Sequence, residues 1–302
     1  MALRDELVLG AKNAGIMLAR GVLPMQARVK VLRALRRRTD LGKLRKADAA
    51  VVSFAKSGRT WLRVMVSNLY QQKYGLPTNG LMELDNFRTL NAAIPALFFT
   101  QGSYIEDGYK STSADFPFAK KPLIFLARHP ADVAVSYFFH SRARINPLKL
   151  DVKGFPSSIA DMDIFDFVMH EKIGIPGIIA YLNRWEAVVK RHPRAIMLSY
   201  EKLRRDPAHE LRRLADFLGS EFTDDQYAAA IEFARFENLK AKEATNFFDN
   251  RRLKARDNED DNSFKVRRGK VQGYVDYFDA AQTQAIKALI AQTLSPGFGY
   301  EQ

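Results

Sequence analysis

The sequence predicts an α/β domain, a central parallel sheet flanked by helices, preceded by a basic helical arm. Three observations predict it. The apolar run Ala49 to Phe54 passes through a tight Lys-Ser-Gly turn into a helical pattern from Arg59 to Tyr74. A second run, Leu123 to Ala127, leads to Arg128 and a helix opened by Pro130, a residue well placed in a first helical turn. A third run, Ala195 to Tyr200, follows a helix from Gly177 to Arg191. Strand–helix alternation of this kind builds a parallel sheet covered by helices.

Taken in order, residues 1–46 read as two amphipathic helices broken near Gly21 and Pro24, with Leu3, Leu7, Ala11, Ala14 and Leu18 on one and Met25, Val29 and Leu32 on the other. The second ends in Arg36-Arg37-Arg38. This extension either packs on the domain with its arginines solvated or lies on an anionic membrane surface. The domain proper occupies residues 47–302. After the second strand a helix runs from Pro130 to about His140. After the third come helices over Pro207 to Gly219 and Asp224 to Phe236, a charge-dense mobile loop at 249–265, and a last helix from Asp279 to Leu294.

Composition narrows the function classes. At 302 residues and 47% hydrophobic, the chain can bury a substantial core. It has no cysteine, so disulfides, thiolate catalysis and Cys-based metal sites are excluded and a reducing compartment is expected. No apolar run approaches a membrane span, and Arg4, Asp5, Glu6 and Lys12 interrupt any signal-peptide core, so the expected location is cytoplasmic. The net charge is +13, of which residues 1–46 carry +9 and the rest only +4. A nucleic-acid-binding domain would spread its basic excess over the body, so none is expected.

Three stretches carry residue types suited to phosphate. In Lys56-Ser57-Gly58-Arg59-Thr60-Trp61, Gly58 lets the backbone approach an anion. The following helix then aims free N–H groups and its positive end at that anion. Lys56 adds charge and Ser57 and Thr60 add hydroxyls. This is not the triphosphate P-loop, in which Lys follows the glycines, and no strand-end acid for Mg²⁺ stands out. In Arg128-His129-Pro130-Ala131-Asp132-Val133-Ala134-Val135-Ser136, Arg128 at a strand end forks onto phosphate and Ser136 supplies a hydroxyl two turns on. Arg267-Arg268-Gly269-Lys270-Val271-Gln272-Gly273-Tyr274 suits a flap that closes over a phosphate.

Together, over roughly residues 48–300, the three stretches resemble the sulfotransferases that use 3′-phosphoadenosine-5′-phosphosulfate (PAPS). They correspond in order to that family's 5′-phosphosulfate loop, 3′-phosphate motif and C-terminal flap. The resemblance implies the P-loop-like sulfotransferase fold, PAPS as co-substrate with 3′-phosphoadenosine-5′-phosphate (PAP) as product, and no metal. It implies that Lys56 stabilises the bridging oxygen as the sulfuryl group leaves, and that Ser57, Gly58, Arg59 and Thr60 hold the phosphosulfate. Arg128, Ser136, Arg267, Arg268 and Gly269 would hold the 3′-phosphate. Trp61, Tyr200 and Phe236 would frame the adenine, core packing being the alternative for the last two.

The chain departs from the family pattern at Ala55, Arg235 and Tyr274, and above all at Gln101, where cytosolic-type relatives carry the His that deprotonates the acceptor. An amide takes no proton near neutral pH. Either a nearby carboxylate (Glu83, Asp85, Glu106 or Asp107) serves as base, or the acceptor needs little help, or turnover is impaired. In the last case Gln101→His raises turnover on the order of 10²–10⁴-fold. Of the five histidines, His129 is expected to face outward, His140 to be structural, and His170, His192 and His209 to lie on the surface; none has metal-ligand spacing. Ten aromatics in the segments flanking the site (Phe87, Phe98, Phe99, Tyr104, Tyr109, Phe138, Phe139, Phe155, Phe247 and Phe248) point to an apolar or lipid acceptor, with core packing as the alternative. A non-catalytic binder of adenosine bisphosphates and a Mg²⁺-dependent nucleotide kinase are the other classes.

Overall fold

A computed structural model of the chain describes residues 24–144, 150, 152–155, 159, 161–248, 253, 264 and 268–300. Helix α1 (Met25–Lys46) starts directly after Pro24. It runs past Arg38, where the sequence pattern ended it, through Gly42 to a last turn whose Lys43, Arg45 and Lys46 suit the negative end of the helix. It is anchored to the body. The Arg33 guanidinium forks onto Asp107 at 2.6 and 2.7 Å and donates to the Val152 carbonyl at 2.7 Å, and Leu44 is buried.

Strand β1 (Ala49–Val52) is followed by α2 (Arg59–Tyr74), then β2 (Leu97–Thr100), the short α3 (Ser103–Glu106) and β3 (Leu123–Ala127). Next come α4 (Pro130–Arg144), α5 (Ile164–Met169), α6 (Ile175–Arg191) and β4 (Ala195–Ser199). The chain continues through α7 (Tyr200–Arg205), α8 (Pro207–Leu218), α9 (Asp224–Phe233), α10 (Phe236–Ala244) and α11 (Ala280–Thr293). The four strands are parallel, in the order β2-β1-β3-β4, with Val52 level with both Thr100 and Phe125 and Ala127 level with Ser199.

Both faces of the sheet are covered. Ala50, Val52, Leu123, Phe125 and Ala127 point into one core, which holds Trp185 of α6; Ala49, Val51, Ile124 and Leu126 point into the other, which holds Leu62 and Met65 of α2. A two-residue side-chain period on a sheet buried on both sides produces this division.

Two differences from the sequence reading bear on the site. The single helix expected over Asp224 to Phe236 breaks at Ala234 and Arg235, because the Ala234 carbonyl accepts from Trp61 Nε1 at 2.9 Å and Arg235 is extended. The break brings Phe236 to the head of α10. Tyr200 is the first residue of α7 rather than the last of a strand, the Ser199 hydroxyl capping that helix through the Lys202 N–H. The loop expected at 249–265 lies outside the described residues, apart from buried Leu253 and Phe264.

Candidate active site

Strand order places the chemistry. From β1 the chain crosses to β2 on one side and later to β3 on the other, so a crevice opens beyond the carboxyl ends of the strands, where ligands bind in open parallel sheets. A cleft of about 310 Å³ lies there. Lys56, Gln101, Arg128 and Tyr200, which follow β1, β2, β3 and β4, all line it, and Ser136, Phe236, Arg268 and Gly269 join them from farther along the chain.

The turn after β1 is tightly specified. Lys56 and Gly58 both have left-handed backbone, with φ of 69° and 88°. For lysine this conformation costs on the order of 1 kcal/mol. The Leu62 N–H donates to the Gly58 carbonyl at 3.1 Å, so the amides of residues 58–61 precede the first intrahelical bond and lie at the positive end of α2. Thr60 and Trp61 line the cleft. Ser57 lies beneath the turn, fully buried, its hydroxyl without a partner among the described residues. The Arg59 guanidinium turns toward the strand ends, where Nη1 donates to the Ser53 carbonyl at 3.0 Å and also to the Thr100 carbonyl, tying β1 to β2.

Arg128 joins the turn to the C-terminal segment. Its Nη1 donates to the Lys56 carbonyl at 3.0 Å and its Nη2 to the Lys270 carbonyl at 3.1 Å, while Nε is buried without a partner. The segment 268–277 is held by Asp132, a buried carboxylate that accepts from the Gln272 N–H at 2.9 Å and the Tyr274 N–H at 3.0 Å. Sequence reasoning gave Asp132 no role of its own, since contacts 140 residues away leave no local mark. Arg268 and Lys270 both pair with Asp276, at 2.6 and 2.8 Å. Arg267 lies outside the described residues.

The three aromatics surround one wall. Trp61 and Tyr200 meet edge to face at 5.6 Å, and the Arg128 guanidinium lies over the Tyr200 ring at 4.2 Å. Two glycines leave room for close contacts: a Cβ on Gly58 would lie 2.5 Å from Tyr200 Cδ2, and one on Gly269 would lie 2.9 Å from Phe236 Cδ2.

On the acceptor side the structure separates the proposed bases from the cleft. Glu106 pairs with Arg184 at 2.6 Å, Asp107 with Arg33, and Glu83 with Arg63 at 3.5 Å; neither these nor Asp85 line it. The ten flanking aromatics do not line it either, and Phe87, Phe98, Phe138, Phe155 and Phe248 are buried in the two cores. His129 does not face outward. It is 6% exposed, stacks on Tyr274 with ring centroids 5.2 Å apart, and burial lowers its pKa to about 4. His140 does reach the cleft, as does Lys153. Among the described residues no group of His, Cys, Asp and Glu is arranged to hold a metal ion.

Compared with known proteins, residues 46–297 match the sulfotransferase domain family. Cytosolic sulfotransferase 15 of Arabidopsis thaliana is 25% identical over 276 residues, covering 82% of this chain and 72% of that protein. Flavonol 3-sulfotransferase of Flaveria bidentis is 25% identical over 262 residues, covering 82% and 81%. Among solved structures, a mouse sulfotransferase complexed with PAP superposes with a TM-score of 0.55 at 20% identity, covering 84% of this chain and 89% of that one. Retinol dehydratase in complex with retinol and PAP gives 0.55 at 22% identity, covering 82% and 80%.

Proposed function

Because the chain belongs to the sulfotransferase domain family, we propose that it moves a sulfuryl group from PAPS to a hydroxyl or amine of a small-molecule acceptor. The observation that carries this reading is the meeting of three phosphate-suited stretches, 72 and about 140 residues apart, around one cleft. The cleft fits the donor: it is lined by Lys56, Arg128, Arg268 and Lys270, Arg128 Nε is a buried polar atom without a partner among the described residues, and Gly58 and Gly269 let the Tyr200 and Phe236 rings close against the backbone that carries them.

The donor supplies the sulfuryl group together with a phosphate leaving group. This chain's residues position and stabilise. Lys56 and the amides at the head of α2 face the charge that develops on the leaving side, with Thr60 beside them. Arg128 and Ser136, with Arg267, Arg268 and Gly269 of the flap, hold the 3′-phosphate, and Trp61, Tyr200 and Phe236 frame the base. Gln101 offers the acceptor a hydrogen bond through its amide and no proton acceptor.

Calorimetry should show saturable PAP binding, and 2-naphthol should be sulfated from PAPS without added Mg²⁺. Mg²⁺-dependent ATP consumption without PAP binding would instead indicate a kinase. PAP binding without turnover on any of a panel of phenols, alcohols and amines would favour a non-catalytic adenosine-bisphosphate binder, a reading that Gln101 makes less remote.

Exposed Met25, Val31 and Leu35 on α1 beside Arg36-Arg37-Arg38 support approach to an anionic membrane surface, from which a lipid acceptor would be taken. Since α1 packs through Leu44 and Arg33, the arm is tested by substitution rather than deletion. Val31→Ser/Leu35→Ser should weaken binding to phosphatidylserine vesicles in co-sedimentation roughly 30-fold or more, the two apolar residues together contributing about 2 kcal/mol. Equal binding by both proteins would remove the membrane role.

A further inference from the structure

We propose that His140 takes the acceptor's proton, in place of the residue at the end of β2. The inference rests on the sulfuryl-transfer reading above. Ser136 and His140 are four residues apart on α4, hence one turn apart on the same helix face, and both line the cleft. If Ser136 serves the nucleotide, His140 stands one turn farther out along the wall.

A continuous set of contacts links that position to Gln101. The His140 ring packs on Tyr137 with centroids 6.5 Å apart, Tyr137 meets Phe54 at 5.5 Å, and Phe54 meets Tyr181 at 5.2 Å. The Tyr181 hydroxyl then donates to the Gln101 carbonyl at 2.7 Å. A chain of aromatic contacts thus runs from the His140 ring to the main-chain carbonyl of Gln101, and both residues line the cleft. Lys153 stands beside them, its ammonium 3.2 Å from the Tyr137 hydroxyl.

Of the cleft-lining residues, Asp132 already accepts from two backbone N–H groups, and lysine and arginine side chains offer donors only. The hydroxyls of Thr60, Ser136 and the tyrosines are weak bases, whereas a cleft-lining imidazole is suited to accept a proton there. In the step, the acceptor O–H proton passes to an imidazole nitrogen as the acceptor oxygen bonds to sulfur. The bond from sulfur to the bridging oxygen breaks with its electron pair on that oxygen, beside Lys56. PAP departs and the imidazolium returns its proton to water.

The test compares wild type, His140→Phe and Gln101→His/His140→Phe with PAPS and two acceptors. One is 2-naphthol, neutral near pH 7; the other is 4-nitrophenol, about half ionised there and so in need of little base. His140→Phe should lower kcat for 2-naphthol on the order of 10²–10³-fold, the usual worth of a positioned base. It should lower kcat less than tenfold for 4-nitrophenol and leave the Kd for PAP unchanged. The double variant, with imidazole at the end of β2, should regain at least tenfold on 2-naphthol. If His140→Phe fails to bind PAP, His140→Gln takes its place. Equal losses on both acceptors, or none, would overturn the inference, as would a rise of 10²-fold or more from Gln101→His alone. A wild-type protein that binds no PAP or sulfates neither acceptor would overturn the sulfuryl-transfer reading itself, whereas turnover retained in His140→Phe overturns only the role of His140.

Discussion

Replacing Lys56 with alanine is expected to lower sulfuryl transfer on the order of 10²–10³-fold, about what one positioned charge-stabilising donor contributes to a transition state. The ammonium matters most when the bridging oxygen gains charge, so kcat should fall while the Kd for PAP changes little. Backbone conformation gives the experiment a second arm. Lys56 holds φ 69°, where a side chain is strained and glycine is not. Lys56→Gly should therefore unfold at a higher temperature than Lys56→Ala yet be equally inactive. If Lys56→Gly retained turnover, the ammonium would have no chemical role. Equal inactivity beside unequal stability would indicate that strain is kept at this turn for the sake of the charge.

The second large effect is expected at Gly58. Alanine there meets Tyr200 Cδ2 at 2.5 Å and must hold φ 88°. Tyr200 has little room to retreat, being buried between the Arg128 guanidinium and the Trp61 ring. Gly58→Ala should thus displace the wall next to the phosphate turn and the arginine behind it. The expected outcome is a loss of PAP affinity of about 10²-fold and of roughly 1–3 kcal/mol in folding stability, the usual cost of overpacking combined with a left-handed side chain. Calorimetry and thermal unfolding read the two separately. Unchanged affinity would mean that Tyr200 and Arg128 do not form the nucleotide wall.

Where sequence and structure coincide, a local rule was at work. That the turn after β1 and Arg128 would face one cleft was legible because each sits at a strand end. β3 was readable as Leu123–Ala127 because a strand buried on both faces must be apolar throughout. What stayed hidden depends on distant partners. Asp132 is set apart by amides 140 residues away. His140 is set apart by sharing a helix face with Ser136, and the Ser136 hydroxyl does not announce how far the cleft extends. The flanking aromatics misled because a phenyl ring suits a core and a pocket alike, and only topology decides. Arg59 lines the cleft as the sequence reading expected, and its guanidinium also ties the ends of β1 and β2, a contact that leaves no local mark in the sequence.

The clasp between Asp132 and the amides of Gln272 and Tyr274 also has a consequence for biosynthesis. On the function proposed above, the turn that would receive the nucleotide's 5′-phosphosulfate is synthesised early, and the segment that would hold its 3′-phosphate follows only after all four described strands. A growing chain has every strand in place once Ser199 has emerged, and still lacks one side of its cleft until Tyr274 follows. Chains cut short before that point would carry a finished sheet and an unfinished pocket. Because domains fold as units while translation proceeds, nucleotide binding would then distinguish chains that include Tyr274 from shorter ones that have already collapsed.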